Sequence, residues 1–305
     1  MIGGFWEGDK VAKLSDQIVV QYGMGITSSE AAVQELVYNT VDRDLVHVPK
    51  VYRFVRSDRS EDPRGYLFLE YVQGQPLEDT DLEPSGKTVR QIAGIIFRLG
   101  QIQNPVPGPL GGGLPLGYIY GDDGAKAPFT SIRDMNAYMN KRLEYRNDTI
   151  DLSPYPLVLC HGDICRRNII LEDDGSICLV DWGYAGFYPR FFEVLSMSHV
   201  NPYDAAFEEP VKQEVTKALN LTVEEEHDMK LMSFVRGANL RWSFDERTPS
   251  EIEAYHASQI MHFSGGQGPV VDEPDGKGSV IPLKKETPGP SVRTSAPPHI
   301  FVEFS

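Results

Sequence analysis

The sequence predicts an α+β fold in two lobes, a small β-rich amino-terminal lobe and a larger, mainly helical carboxyl-terminal lobe. Strand-like patterns are concentrated in the first 74 residues, and helical patterns dominate after them. A chain of 305 residues, 41% of them hydrophobic, is long enough to bury a core in each lobe. We assign residues 1–74 to the first lobe, 75–263 to the second, and 264–305, which are rich in Gly and Pro, to a disordered tail.

The first predicted element is a β-hairpin. The segment KVAKLSDQIVVQY, from Lys10 to Tyr22, has two β-rich runs around a polar turn. If Ser15 and Asp16 form a two-residue turn, Lys10 lies opposite Gln21, and the two side chains share a face of the sheet. Little chain precedes this hairpin, so we predict that the first strand of the lobe is truncated.

A helix and two further strands complete the predicted small lobe. In TSSEAAVQELVYNT, Thr27 and Glu30 have the spacing of a capping box, and apolar residues follow at helical intervals. The segments HVPKVYRFVRSD and GYLFLEYVQG are typical of strands, and the second ends at Gly74. The sequence therefore predicts a small sheet with one helix.

The second lobe begins with a helix predicted from Val89 to Ile102. The following segment, NPVPGPLGGGLPLGYIYGDDGAKAPF, has too much Gly and Pro for regular structure, so we predict a long surface insertion. Helical periodicity returns in SIRDMNAYMNKRLEYRN, in residues 210–244 and in residues 251–262. We place the binding pocket for a substrate on the helices of residues 211–244.

One stretch carries most of the chemical information, LVLCHGDICRRNIILEDDGSICLVDWG at residues 157–183. It predicts a strand, a turn and a hairpin, with Asp163, Asn168 and Asp181 at or near the strand ends, where they share one rim. Phosphoryl transfer needs a carboxylate that deprotonates the acceptor hydroxyl and oxygen ligands that hold Mg²⁺ on the nucleotide phosphates. These three residues supply both.

The pattern H-G-D-x-x-x-x-N, followed by an apolar hairpin and D-W-G, resembles the catalytic core of the aminoglycoside phosphotransferase and choline kinase-like family, which shares the protein-kinase fold. The resemblance implies ATP and Mg²⁺ as cofactors, with Asp163, Asn168 and Asp181 as catalytic residues. Asp163 corresponds to the catalytic base, Asn168 and Asp181 to the metal ligands, and His161 to a structural member of the loop. The segments APFTSIRDMNAYM and GFYPRFFE are similar to those of fungal aminoglycoside phosphotransferase-like proteins.

The same resemblance implies a nucleotide site. The segment YLFLEYVQGQPL resembles the fifth strand and the hinge of that family, so the backbone from Glu70 to Val72 is expected to bind adenine. Val19 is expected in the same cleft. The family's phosphate-binding Lys is replaced by Gln21, and Glu30 corresponds to the helix residue that pairs with that Lys. A neutral amide cannot supply the missing charge.

This substitution leaves two functions open. The chain is either an ATP-dependent phosphotransferase acting on a hydroxyl of a small molecule, or a kinase-like pseudoenzyme or nucleotide-binding module with weak or no turnover. In the predicted hairpin register, Lys10 could supply the missing cation from the preceding strand, as in the "with no lysine" protein kinases. The alternative is that Lys10 is simply solvated.

Composition restricts the partners. The net charge of −15 opposes contact with a phosphate backbone, which argues against nucleic acid, and it favours a cationic small substrate unless it serves only solubility. The absence of a long apolar run argues against a membrane segment, and we expect a cytoplasmic protein. Three cysteines without metal-site spacing are expected to be reduced and partly buried.

Overall fold

The computed structural model describes residues 3–4, 9–57, 63–79, 86–121, 123–199, 204–244 and 281–282. A five-stranded antiparallel sheet forms the amino-terminal lobe, with strands β1 (Gly3–Gly4), β2 (Lys10–Lys13), β3 (Ile18–Gly23), β4 (Val51–Ser57) and β5 (Arg64–Glu70). Their order across the sheet is β1-β2-β3-β5-β4. Strand β3 pairs with β5 in the sheet. The chain leaves the sheet at the end of β5, at Glu70, and continues into the second lobe.

One helix, α1 (Ser28–Thr40), connects β3 to β4. The predicted cap is present, because the side chain of Thr27 accepts the backbone N–H of Glu30 at 3.1 Å. Val33 and Val37 of this helix are fully buried in the main hydrophobic cluster of the protein. The helix thus holds Glu30 at a fixed position behind the sheet.

The β2–β3 hairpin differs by one residue from the predicted register. Lys10 lies opposite Tyr22, and Val11 lies opposite Gln21. The turn is longer than two residues and closes on the carbonyl of Ile18, which accepts two backbone N–H groups at 2.9 and 3.2 Å. A shift of one residue moves a side chain to the other face of the strand, so Lys10 does not share a face with Gln21. The prediction that Lys10 opposes Gln21 is wrong.

The carboxyl-terminal lobe is mainly helical. Its helices are α2 (Gly86–Leu99), α3 (Ile132–Leu143), α4 (Phe191–Met197), α5 (Ala205–Leu219) and α6 (Val223–Asn239). Short strands accompany them, namely β6 (Gln75–Pro76), β7 (Leu157–Cys160), β8 (Ile169–Leu171), β9 (Ile177–Leu179) and β10 (Gly186–Pro189). Strands β6, β8 and β9 form one antiparallel sheet, and β7 pairs with β10. The predicted α+β class with two unequal lobes is confirmed.

The predicted surface insertion is only partly at the surface. The segment has no regular helix or strand in its described residues, as predicted, but Ile119, Tyr120 and Ala125 are buried. These side chains belong to a hydrophobic cluster with α3, α4 and α6. The Gly and Pro content therefore predicted the irregular backbone correctly, but it did not predict that apolar side chains of this segment are buried.

The far carboxyl-terminal region is described only in part. The helix predicted at residues 251–262 and the tail at 264–305 lie outside the described residues, apart from β12 (Ile281–Pro282), which pairs antiparallel with β11 (Trp242–Ser243). Among the helices that the structure describes, none is long and apolar enough to cross a membrane. The three cysteines are unpaired and buried, as expected.

Candidate active site

A cleft lies between the amino-terminal sheet and the β8–β9 hairpin with the turn that follows it. Four of the residues predicted to bind the nucleotide, Val19, Gln21, Glu70 and Val72, line it together with Asp181. The other lining residues are mainly apolar: Val11, Gln34, Pro49, Leu69, Tyr71, Ile170 and Val180.

Asp163, the predicted base, is almost completely buried and has every carboxylate position occupied. Its Oδ1 accepts hydrogen bonds from the Tyr118 hydroxyl and from Arg167 Nη2, each at 2.9 Å. Its Oδ2 accepts from Arg167 Nη2 at 2.7 Å and from Asn168 Nδ2 at 2.8 Å. The carboxylate is therefore held in one orientation and is closed off from solvent.

Asn168 lies beside the base on a 3₁₀ turn before β8 and is fully buried. Its Nδ2 donates to the backbone carbonyl and to the carboxylate of Asp163, at 2.9 and 2.8 Å. This fixes the orientation of the amide, and its Oδ1 has no hydrogen-bond partner among the described residues. A buried amide oxygen without a partner is unfavourable unless a ligand fills the position.

Asp181 begins the turn after β9 and has a left-handed backbone, with φ of 64°. Such a conformation is strained for a residue other than Gly and is often found at functional sites. Burial and the nearby negative charge of Asp163 raise the pKa of Asp181 to about 6, although Arg167 acts in the opposite direction. The base and the second predicted metal ligand are thus electrostatic neighbours.

Glu30 reaches the same region from α1 but is not among the residues that line the cleft. Burial raises the pKa of Glu30 well above its ordinary value, and the negative charges of Asp181 and Asp9 raise it further. Hydrogen bonding from the Gln21 amide opposes this shift. The pair predicted at these positions is therefore present, with a neutral donor in place of a cation, and Glu30 Oε1 is buried without a partner in the described chain.

His161 has the structural role that the resemblance implied. Burial lowers the pKa of its imidazole to about 4, so the ring is neutral at physiological pH. Its Nε2 donates to the carbonyl of Val180 at 3.2 Å, and its ring packs on Trp182 with centroids 4.6 Å apart. The imidazole therefore connects residues 161–168, the predicted catalytic loop, to the turn that carries Asp181.

Gly162 permits a tight turn immediately before the base. Its φ is +79°, and a Cβ at this position would lie 2.9 Å from the backbone oxygen of Tyr184. Both the backbone conformation and the lack of space for a Cβ therefore explain why the motif has Gly at this position. Any other residue would push the loop away from the neighbouring turn.

Glu193, which the sequence reasoning did not identify, anchors this loop from α4. Its carboxylate accepts the backbone N–H groups of His161 and Gly162, at 2.6 and 3.1 Å. Burial raises the pKa of Glu193 to about 7. The segment GFYPRFFE contains it, but no pattern in the sequence showed that this Glu points at the catalytic loop.

Arg167 and Tyr118 were also missed. Arg167 follows Asp163 by four residues, so its spacing was a usable signal for a local ion pair. Tyr118 lies 45 residues earlier in the chain, within the insertion, and no local signal connects it to the base. Its hydroxyl also accepts from Arg167 Nη2 at 3.1 Å.

The sequence profile of a phosphotransferase enzyme family, APH, matches residues 29–227, which is more than half of the chain. The chain belongs to this family. The matched region includes Glu30, the catalytic loop and Asp181, so it contains most of the site described above. The predicted resemblance to aminoglycoside phosphotransferases and choline kinases is confirmed at the level of the family.

Individual relatives resemble parts of this chain. The choline/ethanolamine kinase of Rattus norvegicus is 30% identical over 90 residues, which cover 27% of this chain and 23% of that protein. Ethanolamine kinase 2 of Mus musculus is 30% identical over 57 residues, 18% of this chain and 15% of that protein. The chain thus matches less than a quarter of either relative. The solved aminoglycoside phosphotransferase APH(4)-Ia aligns with 86% of this chain and 87% of its own, at 15% identity and a TM-score of 0.46.

A second, smaller cavity adjoins the predicted catalytic loop at Gly162. Aromatic side chains dominate its walls: Tyr118, Tyr120, Tyr184, Tyr188 and Phe192. These residues come from the insertion, the turn after Asp181, β10 and α4, whereas the predicted substrate pocket was placed on residues 211–244. The cavity lies on the side of Asp163 that carries Tyr118.

The donor atoms of the site fit a hard cation. Asn168 offers an oriented oxygen without a partner in the described residues, and Asp181 offers a buried carboxylate whose pKa is raised by burial and by the charge of Asp163. Oxygen ligands of this kind suit Mg²⁺, which normally completes its shell with phosphate oxygens and water. The residues present are therefore compatible with a nucleotide-bound magnesium ion.

Proposed function

We propose that this protein transfers the γ-phosphoryl group of ATP to a hydroxyl of a small molecule. The observation that carries the proposal is the grouping of a buried Asp163 with Asp181 and with an Asn168 oxygen that has no partner among the described residues, next to a cleft that Asp181 lines. Base, metal ligands and cleft are the parts that phosphoryl transfer requires. Membership of the phosphotransferase family supports the same conclusion.

In this proposal Asp163 accepts the proton of the acceptor hydroxyl as that oxygen attacks phosphorus. Arg167 and Asn168 hold the carboxylate in one orientation, so no reorganisation is needed when the acceptor binds. Asn168 and Asp181 would hold Mg²⁺, which when bound neutralises charge on the phosphates. His161 and Glu193 act as positioning residues, because they fix the loop and do not face the reacting atoms.

The apolar part of the larger cleft is suited to adenine. Val11, Val19 and Leu69 lie on the sheet side, and Ile170 and Val180 lie on the side of the β8–β9 hairpin. The chain passes the cleft edge at residues 70–72, where backbone groups are available to the edge of a base. Asp181 lies at the polar end of the cleft, where the phosphates would meet the catalytic loop.

The acceptor is proposed to be a hydroxylated, cationic small molecule. Aromatic side chains from the insertion, β10 and α4 lie close to the base, and aromatic faces attract ammonium groups. The net charge of −15 adds a long-range attraction for cations. The similarity to choline and ethanolamine kinases agrees with this class but covers only a short segment.

A kinase-like protein with weak or no turnover is the second candidate, and one observation favours it. Gln21 lines the cleft where the family has a Lys, and among the residues that the structure places in the cleft wall there is no Lys or Arg. Without that cation, binding of the α- and β-phosphates is weaker. Both candidates bind nucleotide, so only turnover separates them.

The decisive experiment measures ADP release and product mass with Mg-ATP and a panel of acceptors comprising choline-like amines, aminoglycosides and neutral sugars. A sharp pair of acceptors is choline and its neutral isostere, in which a tert-butyl group replaces the trimethylammonium group. Phosphorylated product that depends on Asp163 supports the proposal, and preference for the cation supports the acceptor class. ATP binding by calorimetry, without product from any acceptor, would favour the second candidate.

A further inference from the structure

The donors on Asp163 are not equivalent. Three of the four hydrogen bonds come from Arg167 and Asn168, which belong to the same loop and lie four and five residues after it. The fourth comes from the Tyr118 hydroxyl, at 2.9 Å, and Tyr118 belongs to the distant insertion. This phenol is the one hydroxyl among the described donors to the base, so it occupies the position that an acceptor hydroxyl must take.

The Tyr118 oxygen contacts both a base and a cation. Burial and the negative charge of Asp163 raise the pKa of the phenol, so it keeps its proton at rest and becomes a nucleophile only as that base removes the proton. Asp163 Oδ1 lies in position to accept its proton, and Arg167 Nη2 donates to the same phenolic oxygen at 3.1 Å. The guanidinium therefore stabilises negative charge that develops on the oxygen as the proton leaves. A nucleophile bonded to a base, with the base oriented by a third group, is the arrangement that covalent group transfer uses.

The position of Tyr118 is fixed by packing as well as by these bonds. Its ring meets that of Tyr184 edge to face, with centroids 5.7 Å apart. Ile119 and Tyr120, which follow it, are anchored in a hydrophobic cluster, so the backbone after Tyr118 has little freedom. The phenol is thus held against the base by the fold of the insertion, not only by its own hydrogen bonds.

We propose that Tyr118 is an internal phosphoryl acceptor, phosphorylated in cis by the same site when no external acceptor occupies it. The phenolic oxygen forms a bond to the γ-phosphorus of ATP, the bond between that phosphorus and the β–γ bridging oxygen breaks, and ADP leaves with the electron pair. The phenolic proton passes to Asp163. This inference rests on the proposed function, since it uses the same base and the same nucleotide site.

Phosphorylation of Tyr118 would inhibit transfer to an external acceptor. A phosphorylated Tyr118 carries nearly two negative charges beside the carboxylate of Asp163 and fills the space that an acceptor hydroxyl requires. Arg167 is the cation within reach of both groups. An external acceptor that displaces Tyr118 from Asp163 therefore protects the enzyme from its own phosphorylation.

The test is incubation of the full chain with Mg-ATP and no acceptor, followed by intact mass and peptide mapping. One phosphoryl group per chain is expected, on Tyr118. Tyr118→Phe should lower labelling to background, at least about 100-fold, as should Asp163→Asn, because loss of a general base typically costs two orders of magnitude or more. Tyr145→Phe is the matched control; Tyr145 is exposed and packs against Trp242, and this variant should label like the parent.

Two further measurements make the result decisive. Chelation of Mg²⁺ should abolish labelling of the unmodified protein, so the conclusion does not depend on how Asp163→Asn folds. Mixing Asp163→Asn with Tyr118→Phe protein should leave both unlabelled if transfer is in cis. Labelling of Asp163→Asn in that mixture, or of residues other than Tyr118, would overturn the inference.

The acceptor assay separates this inference from the proposed function. Phosphorylation of an external acceptor with an unlabelled Tyr118 overturns the inference and leaves the function standing. Labelled Tyr118 without an external product supports the inference and contradicts transfer to the small-molecule acceptors of the panel. Neither labelled Tyr118 nor an external product would overturn both proposals.

Discussion

At the residue scale, the carboxylate of Asp163 is the proposed proton acceptor and also one half of a buried ion pair with Arg167, at 2.7 Å. Sequence spacing predicted that Asp163, Asn168 and Asp181 lie near one another, and the structure has them as neighbours. The spacing could not show that Arg167 points back to the base, since the side-chain direction depends on the 3₁₀ turn between them. The motif can be recognised in the local sequence, whereas the side-chain contacts to Asp163 depend on the fold.

The first prediction concerns Asp163→Asn. Turnover with any acceptor should fall by about 100-fold or more, because an amide cannot take up the proton. The substitution also leaves Arg167 buried without its counter-charge, so the free energy of unfolding should fall by roughly 2 kcal/mol or more. Steady-state kinetics and urea unfolding measure the two effects. A folded variant that turns over at the parent rate would contradict the assignment of the base.

The second prediction concerns the missing cation. In Gln21→Lys, the new ammonium group can pair with the buried carboxylate of Glu30, whose Oε1 has no partner in the described chain. The dissociation constant of Mg-ATP should fall about tenfold, which corresponds to one additional charge-assisted hydrogen bond. Titration calorimetry gives this value directly.

Lys10→Ala is the control for that experiment. Lys10 opposes Tyr22 in the hairpin and lies on the other face from Gln21, so its removal should leave the affinity for Mg-ATP unchanged. If Lys10→Ala weakens binding while Gln21→Lys does not strengthen it, the phosphate anchor is Lys10 and the argument from the register fails.

At the element scale, α4 supports the catalytic loop through Glu193. Burial raises the pKa of this carboxyl from 4.5 to about 7, so the folded protein keeps its proton at pH values where the unfolded chain has released it. The contribution to stability is therefore fully present below about pH 4.5 and is lost as the pH rises through about 7. The shift corresponds to roughly 3 kcal/mol.

The third prediction is that Glu193→Gln removes this pH dependence. Free energies of unfolding, measured by urea titration from about pH 5 to about pH 8, should decline for the parent and be flatter for the variant. Turnover should also fall, because an amide offers one oxygen acceptor where the carboxylate serves both His161 and Gly162. Parallel curves for the two proteins would show that Glu193 is not the titrating group.

Elements and their contacts differ in how well sequence predicts them. The strands and helices around the site follow from local periodicity and caps such as Thr27. The predicted hairpin register was wrong by one residue. The turn length depends on backbone hydrogen bonds to Ile18, which the residue types do not specify. The prediction that the insertion lies at the surface was only partly right. Gly and Pro predict irregular backbone, but they do not show that the side chains of Tyr118 and Tyr120 point into the protein.

At the scale of the whole molecule, two hydrophobic clusters hold the loops that meet at Asp163. One joins α1, α2 and α5 to the β8–β9 hairpin, and the other joins the insertion to α3, α4 and α6. The proposed nucleotide side and the proposed acceptor side of the site are therefore supported by different parts of the core. This arrangement allows the acceptor side to vary while the motif on the other side stays recognisable in the sequence.

The last prediction uses the net charge of −15, which should attract a cationic acceptor over a distance that salt controls. The screening length falls from about 30 Å at 0.01 M to about 8 Å at 0.15 M ionic strength. Over this interval the KM for choline should rise several-fold, while the KM for its neutral tert-butyl isostere should stay constant and kcat should change little for both. Initial rates of ADP release at matched Mg-ATP occupancy measure these values. An equal rise for both compounds would place the salt effect on the nucleotide step, and the absence of any rise for choline would mean that the charge serves solubility alone.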